Sequence, residues 1–304
     1  MALDSFTQVT PVGGDTISAR AFHGSVVFNN QLHVVMGQDS VGALGDMFST
    51  KDGITWNRRA LLVDTDGNTI TARSFFGLCK HDNRVYLLCG YYGSASRNEV
   101  YVTSDMVHWT RLKGSNLTAR SGFCTYSFDS RLWAIGGSDA ASATNDVWWT
   151  KDGVRWTQEP NAPWGARSFS AGVVYNNSMY IMGGVGAARY NDVWYTKNGR
   201  NWTRIDPAAN WSAREGHAVE SMGSRLVLVG GKTDTSAYSG ELFHSLLGNN
   251  WIEGDDSVPM ATNIRGQSMD FFNNRLFSVG GVTDAATYNN GVWQSNGDNF
   301  KSAI

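Results

Sequence analysis

Ala166-Arg167-Ser168-Phe169, an apolar run ending at Tyr175, the turn Asn176-Asn177, Met179 to Met182, the doublet Gly183-Gly184, a loop of small residues, Asn191-Asp192-Val193-Trp194-Tyr195-Thr196, Lys197-Asn198-Gly199 and Trp202-Thr203-Arg204-Ile205 form the stretch that decides the fold. Four short β-type runs alternate with turn signals, the pattern of a four-stranded meander. Edited copies of this string lie on both sides of it. Aligned on arginine, Arg20, Arg73, Arg120, Arg167, Arg214 and Arg265 are spaced by 53, 47, 47, 47 and 51 residues. The aromatic that opens the fourth run (Trp56, Trp109, Trp156, Trp202, Trp251 and Phe300) recurs at 53, 47, 46, 49 and 49. Two markers in phase define a tandem repeat rather than a bias of composition.

The turn chemistry repeats as well. Asn29-Asn30, Asp82-Asn83, Asp129-Ser130, Asn176-Asn177, Gly223-Ser224 and Asn273-Asn274 join the first run to the second, and these residue types tolerate the positive φ of hairpin turns. The second run ends at a glycine doublet in four copies (Gly136-Gly137, Gly183-Gly184, Gly230-Gly231, Gly280-Gly281), while Gly37 and Gly90 stand single and are read as lacking the second glycine. The third opens with Gly45-Asp46, Asn98-Glu99, Asn145-Asp146, Asn191-Asp192, Gly240-Glu241 and Asn290-Gly291. A lone sheet of this size buries neither face, so the copies must stack, and closing the stack into a ring leaves only short, protected edges.

Glycine after the second strand, a polar-acidic pair with an aromatic two or three positions on, and Trp-Thr opening the last strand resemble the kelch repeat, over residues 19–304. The resemblance implies an all-β fold, a six-bladed β-propeller of four-stranded antiparallel blades in a single domain, 1–304. The blade repeats are 19–60, 72–113, 119–160, 166–206, 213–255 and 264–304. Residues 1–12 supply a closing strand, because Ser5-Phe6-Thr7-Gln8-Val9 also has the fourth-strand pattern. It either adds to the strand around Phe300 or displaces it.

Composition agrees with an all-β globular chain: of 304 residues, 41% are hydrophobic, 17% charged and 12% aromatic, with 34 glycines against 5 prolines. A net charge of −2 offers no basic face for nucleic acid. No apolar run is long enough to span a bilayer, and the first residues lack the pattern of a signal peptide, so a soluble, cytoplasmic monomer is expected. Cys79, Cys89 and Cys124 have no metal-ligand spacing and read as buried thiols. The Asn-x-Ser/Thr sequences at Asn116, Asn176, Asn201 and Asn210 read as coincidental.

Three groups of residues are candidates for function. The repeated arginines, Arg20, Arg73, Arg120, Arg167, Arg214 and Arg265, suit a ligand with carboxylate or hydroxyl groups at one mouth of the channel. Their competing role is a ladder of internal pairs with the acids that open the third strands. The loops after the glycines carry Tyr92, Tyr190, Tyr238 and Tyr288, which serve either as contact residues or as packing against neighbouring blades. Glu215 and His217, two apart on a predicted strand, form an acid-base pair by alternation, which resembles sugar epimerases on kelch propellers, such as N-acetylneuraminate epimerase. The histidines are scattered and no phosphate loop or nucleophile elbow occurs, so no metal and no cofactor are expected. The resemblance and these residues together imply a non-enzymatic kelch-type binding module for a protein segment or glycan. The alternatives are a multivalent carbohydrate-binding lectin and a sugar epimerase.

Overall fold

The computed structural model describes residues 6–139, 142–233, 237–254, 263–283 and 287–296. Among these there is no helix, and six four-stranded antiparallel sheets form the blades of a propeller. The innermost strands, Gly24–Phe28, Gly77–His81, Cys124–Phe128, Ala171–Tyr175, Ala218–Met222 and Ser268–Phe272, touch one another in cyclic order. In five of the six inner hairpins both turn residues have positive φ, from Asn29 (49°) and Asn30 (56°) to Asn273 (48°) and Asn274 (61°). This is the twist that a two-residue hairpin demands.

Blade six is completed from the other end of the chain. Phe6–Val9 pairs antiparallel with Val292–Ser295 as the outermost strand of that sheet. Phe6 lies opposite Ser295, as Trp109 lies opposite Thr103 and Trp202 opposite Thr196. The sixth member of the aromatic row is therefore Phe6, fully buried, in the place first given to Phe300. Residues 297–304, including Phe300, lie outside the described residues. Trp56, Trp109, Trp156 and Trp251 are buried and Trp202 half-buried.

The blades are fastened by main-chain atoms. The second residue of each glycine pair has a φ between 94° and 104° (Gly37, Gly90, Gly137, Gly184, Gly231, Gly281), a region reserved for glycine. Its N–H donates to the neighbouring blade: Gly37 to Arg73, Gly90 to Arg120, Gly137 to Arg167, Gly184 to Arg214, Gly231 to Ile264 and Gly281 to Arg20, at 2.7–3.0 Å. Gly37 and Gly90 thus hold the second place of the doublet. The first two copies lack the first glycine, which is replaced by Met36 (φ 53°) and Cys89 (φ 56°) in a conformation that non-glycine residues tolerate.

A second cycle runs closer to the axis. The N–H of Phe22 donates to the carbonyl of Gly266, Phe75 to Phe22, Gly122 to Phe75, Phe169 to Gly122, Gly216 to Phe169 and Gly266 to Gly216, at 2.7–3.1 Å. All six residues have φ between 53° and 68°. The inner strands begin just beyond this ring.

Candidate functional site on the axial face

The two rings fix which residue of each repeat performs which task. The carbonyl of the repeated arginine accepts the interblade bond, and its side chain turns back into its own blade. Nη1 of Arg20, Arg73, Arg120, Arg167 and Arg214 donates to the carbonyl of Met36, Cys89, Gly136, Gly183 and Gly230 respectively, at 2.8–3.1 Å. Each guanidinium also meets the acid that opens the third strand: Asp46 at 2.9 Å, Glu99 at 3.5 Å, Asp146 at 2.7 Å, Asp192 at 2.6 Å, and Glu241. These five arginines are at most 1% exposed. The expectation of a guanidinium ring facing a ligand is corrected for Arg20, Arg73, Arg120, Arg167 and Arg214. Burial and bonding to fixed carbonyls make them rungs of an internal ladder.

Arg265 is corrected differently. The carbonyl that receives the Gly231 N–H belongs to Ile264, so Ile264 occupies the ladder position in blade six and Arg265 follows it by one residue. Gly291 stands where the acid would be, since Gly280 N–H donates to its carbonyl as Met36 does to Asp46. Both charges of the rung are absent together, which leaves no ion unpaired in the interior. Arg265 instead belongs with Ala21, Ser74, Ser121, Ser168 and Glu215, the residues bridged to the outgoing loops at the channel mouth. This polar row is the set that aligning on arginine missed. Its signal was the residue immediately after each buried arginine.

At that mouth the Arg265 side chain is 26% exposed and its Nη1 lies 3.2 Å from Glu215 Oε1, while Arg189 Nη2 approaches the same oxygen at 3.0 Å. Two guanidiniums thus meet on one carboxylate oxygen. Arg265 Nε has no acceptor. The guanidinium stacks on Phe22 (5.3 Å) and Tyr238 (5.2 Å). Phe22 packs on Phe75 (4.4 Å), Phe75 on Phe169 (5.1 Å), and Phe75 reaches Tyr91 (6.3 Å). A half-buried track therefore runs from Tyr238 of blade five through Arg265 of blade six and Phe22 of blade one to Phe75 and Tyr91 of blade two. It ends in a cleft of about 620 Å³ lined by Gln38, Asp39, Leu44, Ser74, Tyr91 and Tyr92.

The predicted tyrosines divide between the two roles. Tyr92 is 46% exposed at this cleft, with Arg97 at 5.9 Å from its ring. Tyr190 covers the buried Arg167 at 4.0 Å. Tyr288 accepts a 2.9 Å bond from Gln38 Nε2 across the seam between blades six and one.

Glu215 and His217 are not brought together. Gly216 between them carries the left-handed φ of the inner ring, 63°, so the chain turns and strict alternation fails. Glu215 faces its two arginines, whereas His217 packs beneath Gly183 and beside Trp211 (6.0 Å). Burial, reinforced by Arg214, pushes the His217 imidazole down to about 3.

Within the channel, Glu220 and Asp270 lie on adjacent inner strands. The Ser25 hydroxyl donates to Asp270, and the Ser221 N–H and hydroxyl donate to Glu220. Burial pushes Glu220 up to about 7 and Asp270 up to about 6. Since these carboxyls ionise near 4 in an unfolded chain, the fold retains protons that the unfolded state has lost. Their contribution to stability is complete below about pH 4 and is lost as pH rises through 6 to 7. Buried neutral His23 and His217 act in the opposite sense, losing their contribution as pH falls below 6.5 toward 3. Glu220→Gln removes one carboxylate and is expected to raise the melting temperature at pH 8 with little gain at pH 4, a difference worth at most about 3 kcal/mol. Thermal melts of both proteins at the two pH values check this, and equal shifts at both would contradict it.

Among the described residues no group of three or more His, Cys, Asp or Glu side chains is placed to hold a metal ion. Residues 55–231 match the family model described as the KLHDC2/KLHL20/DRC7 Kelch-repeats domain. A solved structure described as "Structure of YjhT" superposes with a TM-score of 0.75 over 93% of this chain and 99% of that chain, at 14% identity, a likeness of fold. No curated protein matches the sequence.

Proposed function

This chain belongs to the kelch-repeat family, and on that premise we propose that it is an interaction module that binds one extended, acid-bearing protein segment across its axial face. The kelch propeller fold itself suggests a protein-interaction module. The observation that carries the finer reading is the aromatic track from Tyr238 and Arg265 over Phe22 and Phe75 to Tyr91. Half-buried rings at the centre of a face, with guanidinium at one end, match the anchors that dominate segment recognition. The partly exposed Arg265 guanidinium, stacked between Phe22 and Tyr238, favours a carboxylate there. The row reads Ala21, then Ser74, Ser121 and Ser168, then Glu215 and Arg265, so that only the last two blades carry a charge there. This favours one asymmetric footprint over the equivalent sites of a multivalent lectin.

Panning a random displayed-peptide library on the protein tests the reading. Acid-bearing sequences should be enriched. Arg265→Ala should weaken the selected peptides by roughly thirtyfold, about 2 kcal/mol, with a smaller salt dependence and an unchanged melting temperature. Selected peptides that bind Arg265→Ala and Tyr92→Ala as well as the parent would overturn the assignment of this face.

A further inference from the structure

Blade six departs from the other five in three ways. Its outermost strand, Phe6–Val9, comes from the opposite end of the chain and meets Val292–Ser295 without a connecting turn. It lacks the buried rung, with Ile264 and Gly291 where the other blades hold arginine and acid. Both of its seams also contain a carboxyl. At the third position of the inner strand the blades read Val26, Cys79, Tyr126, Val173, Glu220 and Asp270. This side chain turns toward the following blade: the Tyr126 hydroxyl lies against Gly172 and donates to the Tyr180 carbonyl, Val173 shares an apolar cluster with Val219, and Asp270 accepts from the Ser25 hydroxyl of blade one. Glu220 therefore belongs to the seam between blades five and six, and Asp270 to the seam between six and one. Val26 and Val173 show that the position accepts an apolar residue, so packing does not demand an acid there.

We propose that blade six is a proton-operated latch: with Glu220 and Asp270 protonated it docks against blades five and one, and with both ionised it loosens as a unit together with the strand Phe6–Val9. Neither carboxyl is paired with a cation among the described residues. Glu220 Oε1 accepts from the N–H (2.7 Å) and the hydroxyl (3.1 Å) of Ser221, and Asp270 Oδ2 from the Ser25 hydroxyl. A carboxylate in a seam needs more donors than one serine supplies, whereas the neutral acid carries no charge to solvate. The elements packed around them do not offset that charge. The inner strands Ala171–Tyr175 and Gly24–Phe28 carry no ionisable group that meets them, and Ser268–Phe272 brings Asp270 to bear on Glu220. His23 is bonded to Ser268 and is neutral. Arg225 and Arg275 stand opposite Met222 and Phe272, two residues further along the strands, and Arg225 meets His244 at 2.8 Å. Burial pushes Glu220 up to about 7 and Asp270 up to about 6, above their values in an unfolded chain, so the docked blade holds protons that an opened blade releases. Docking is accordingly strongest below about pH 4 and weakens as pH rises through 6 to 7. Arg265 belongs to this blade, so its end of the axial track moves with the latch.

Native-state hydrogen exchange at pH 5 and pH 8, corrected for the intrinsic rate at each pH, tests this on the full chain. Protection of Phe6–Val9 and Val292–Ser295, taken as a ratio to that of Ala171–Tyr175 and Ser178–Met182 in blade four, should fall at least about tenfold between the two pH values, the equivalent of one pKa unit. Glu220→Gln with Asp270→Asn keeps the shape of both side chains and removes the titration, and should hold the ratio constant. Should that double variant fail to fold, Glu220→Val with Asp270→Val, the residue of blades one and four, carries the same expectation. Blades four and six losing protection together would show that the carboxyls act on the whole ring and not on one blade. That result, a ratio in the parent protein that does not change with pH, or a ratio that still changes in the folded double variant would each overturn the proposal.

Discussion

Deletion of residues 1–12 is expected to give a protein that melts at a much lower temperature, less cooperatively, and associates in solution. Phe6–Val9 covers the edge of Val292–Ser295 through paired residues along its whole length. Phe6 and Val9 are buried, in the clusters on either side of blade six that include Leu276 and Trp293 on one and Phe277 and Val279 on the other. Loss of the Phe6 side chain alone resembles a large-to-small core truncation, roughly 3–5 kcal/mol. Exposure of an unpaired strand edge invites pairing between chains. Circular dichroism melts and size-exclusion chromatography read both effects. A peptide of residues 1–12 added in trans should restore part of the loss. A truncated protein that remained a monomer with the parental melting temperature would show that this strand does not close the ring.

The second large effect concerns the ladder. Arg120→Ala should cost about 3–5 kcal/mol, because it strands a charge inside a blade. Burial raises the Asp146 carboxyl, yet hydrogen bonds from Arg120, Trp148 and Thr144 outweigh it and hold the group below its ordinary value. The repeat itself supplies the rescue. Blade six carries Ile264 and Gly291 at the two positions, so Arg120→Ile with Asp146→Gly should recover much of the stability that Arg120→Ile alone loses. Denaturant unfolding of the two single variants and the double variant gives the coupling energy. Strict additivity would show that the pair is two separate contributions and not a unit.

Most of the architecture was legible because its determinants are local. Asn29-Asn30 and its counterparts specify the inner hairpins, and the tryptophan row marks each outer strand. What escaped the sequence depended on register between copies. Arg265 looks like the sixth rung because arginine is a conspicuous marker, yet the position belongs to Ile264, as the interblade bond to its carbonyl shows. Gly266, two residues past Ile264 and in the same ring as Gly122 and Gly216, was the better anchor, since a positive φ constrains a residue more tightly than a charge does. The same ring interrupted the strand between Glu215 and His217, which alternation alone does not reveal. Phe300 and Phe6 both continue the aromatic spacing, and only the closure of the ring chose Phe6.

The two hydrogen-bonded cycles are built from N–H and C=O groups alone, so the cohesion they supply at the mouth does not depend on which side chains stand between them. Ser74, Ser121 and Ser168 sit there with Ala21, Glu215 and Arg265, and the last blade already tolerates an arginine where three others have serine. On the function proposed above, recognition on this face can drift, or be rewritten by randomising those serines, without renegotiating how the blades are joined. The molecule is in that sense a ready-made chassis for reprogrammed specificity, with its interchangeable letters confined to one short row.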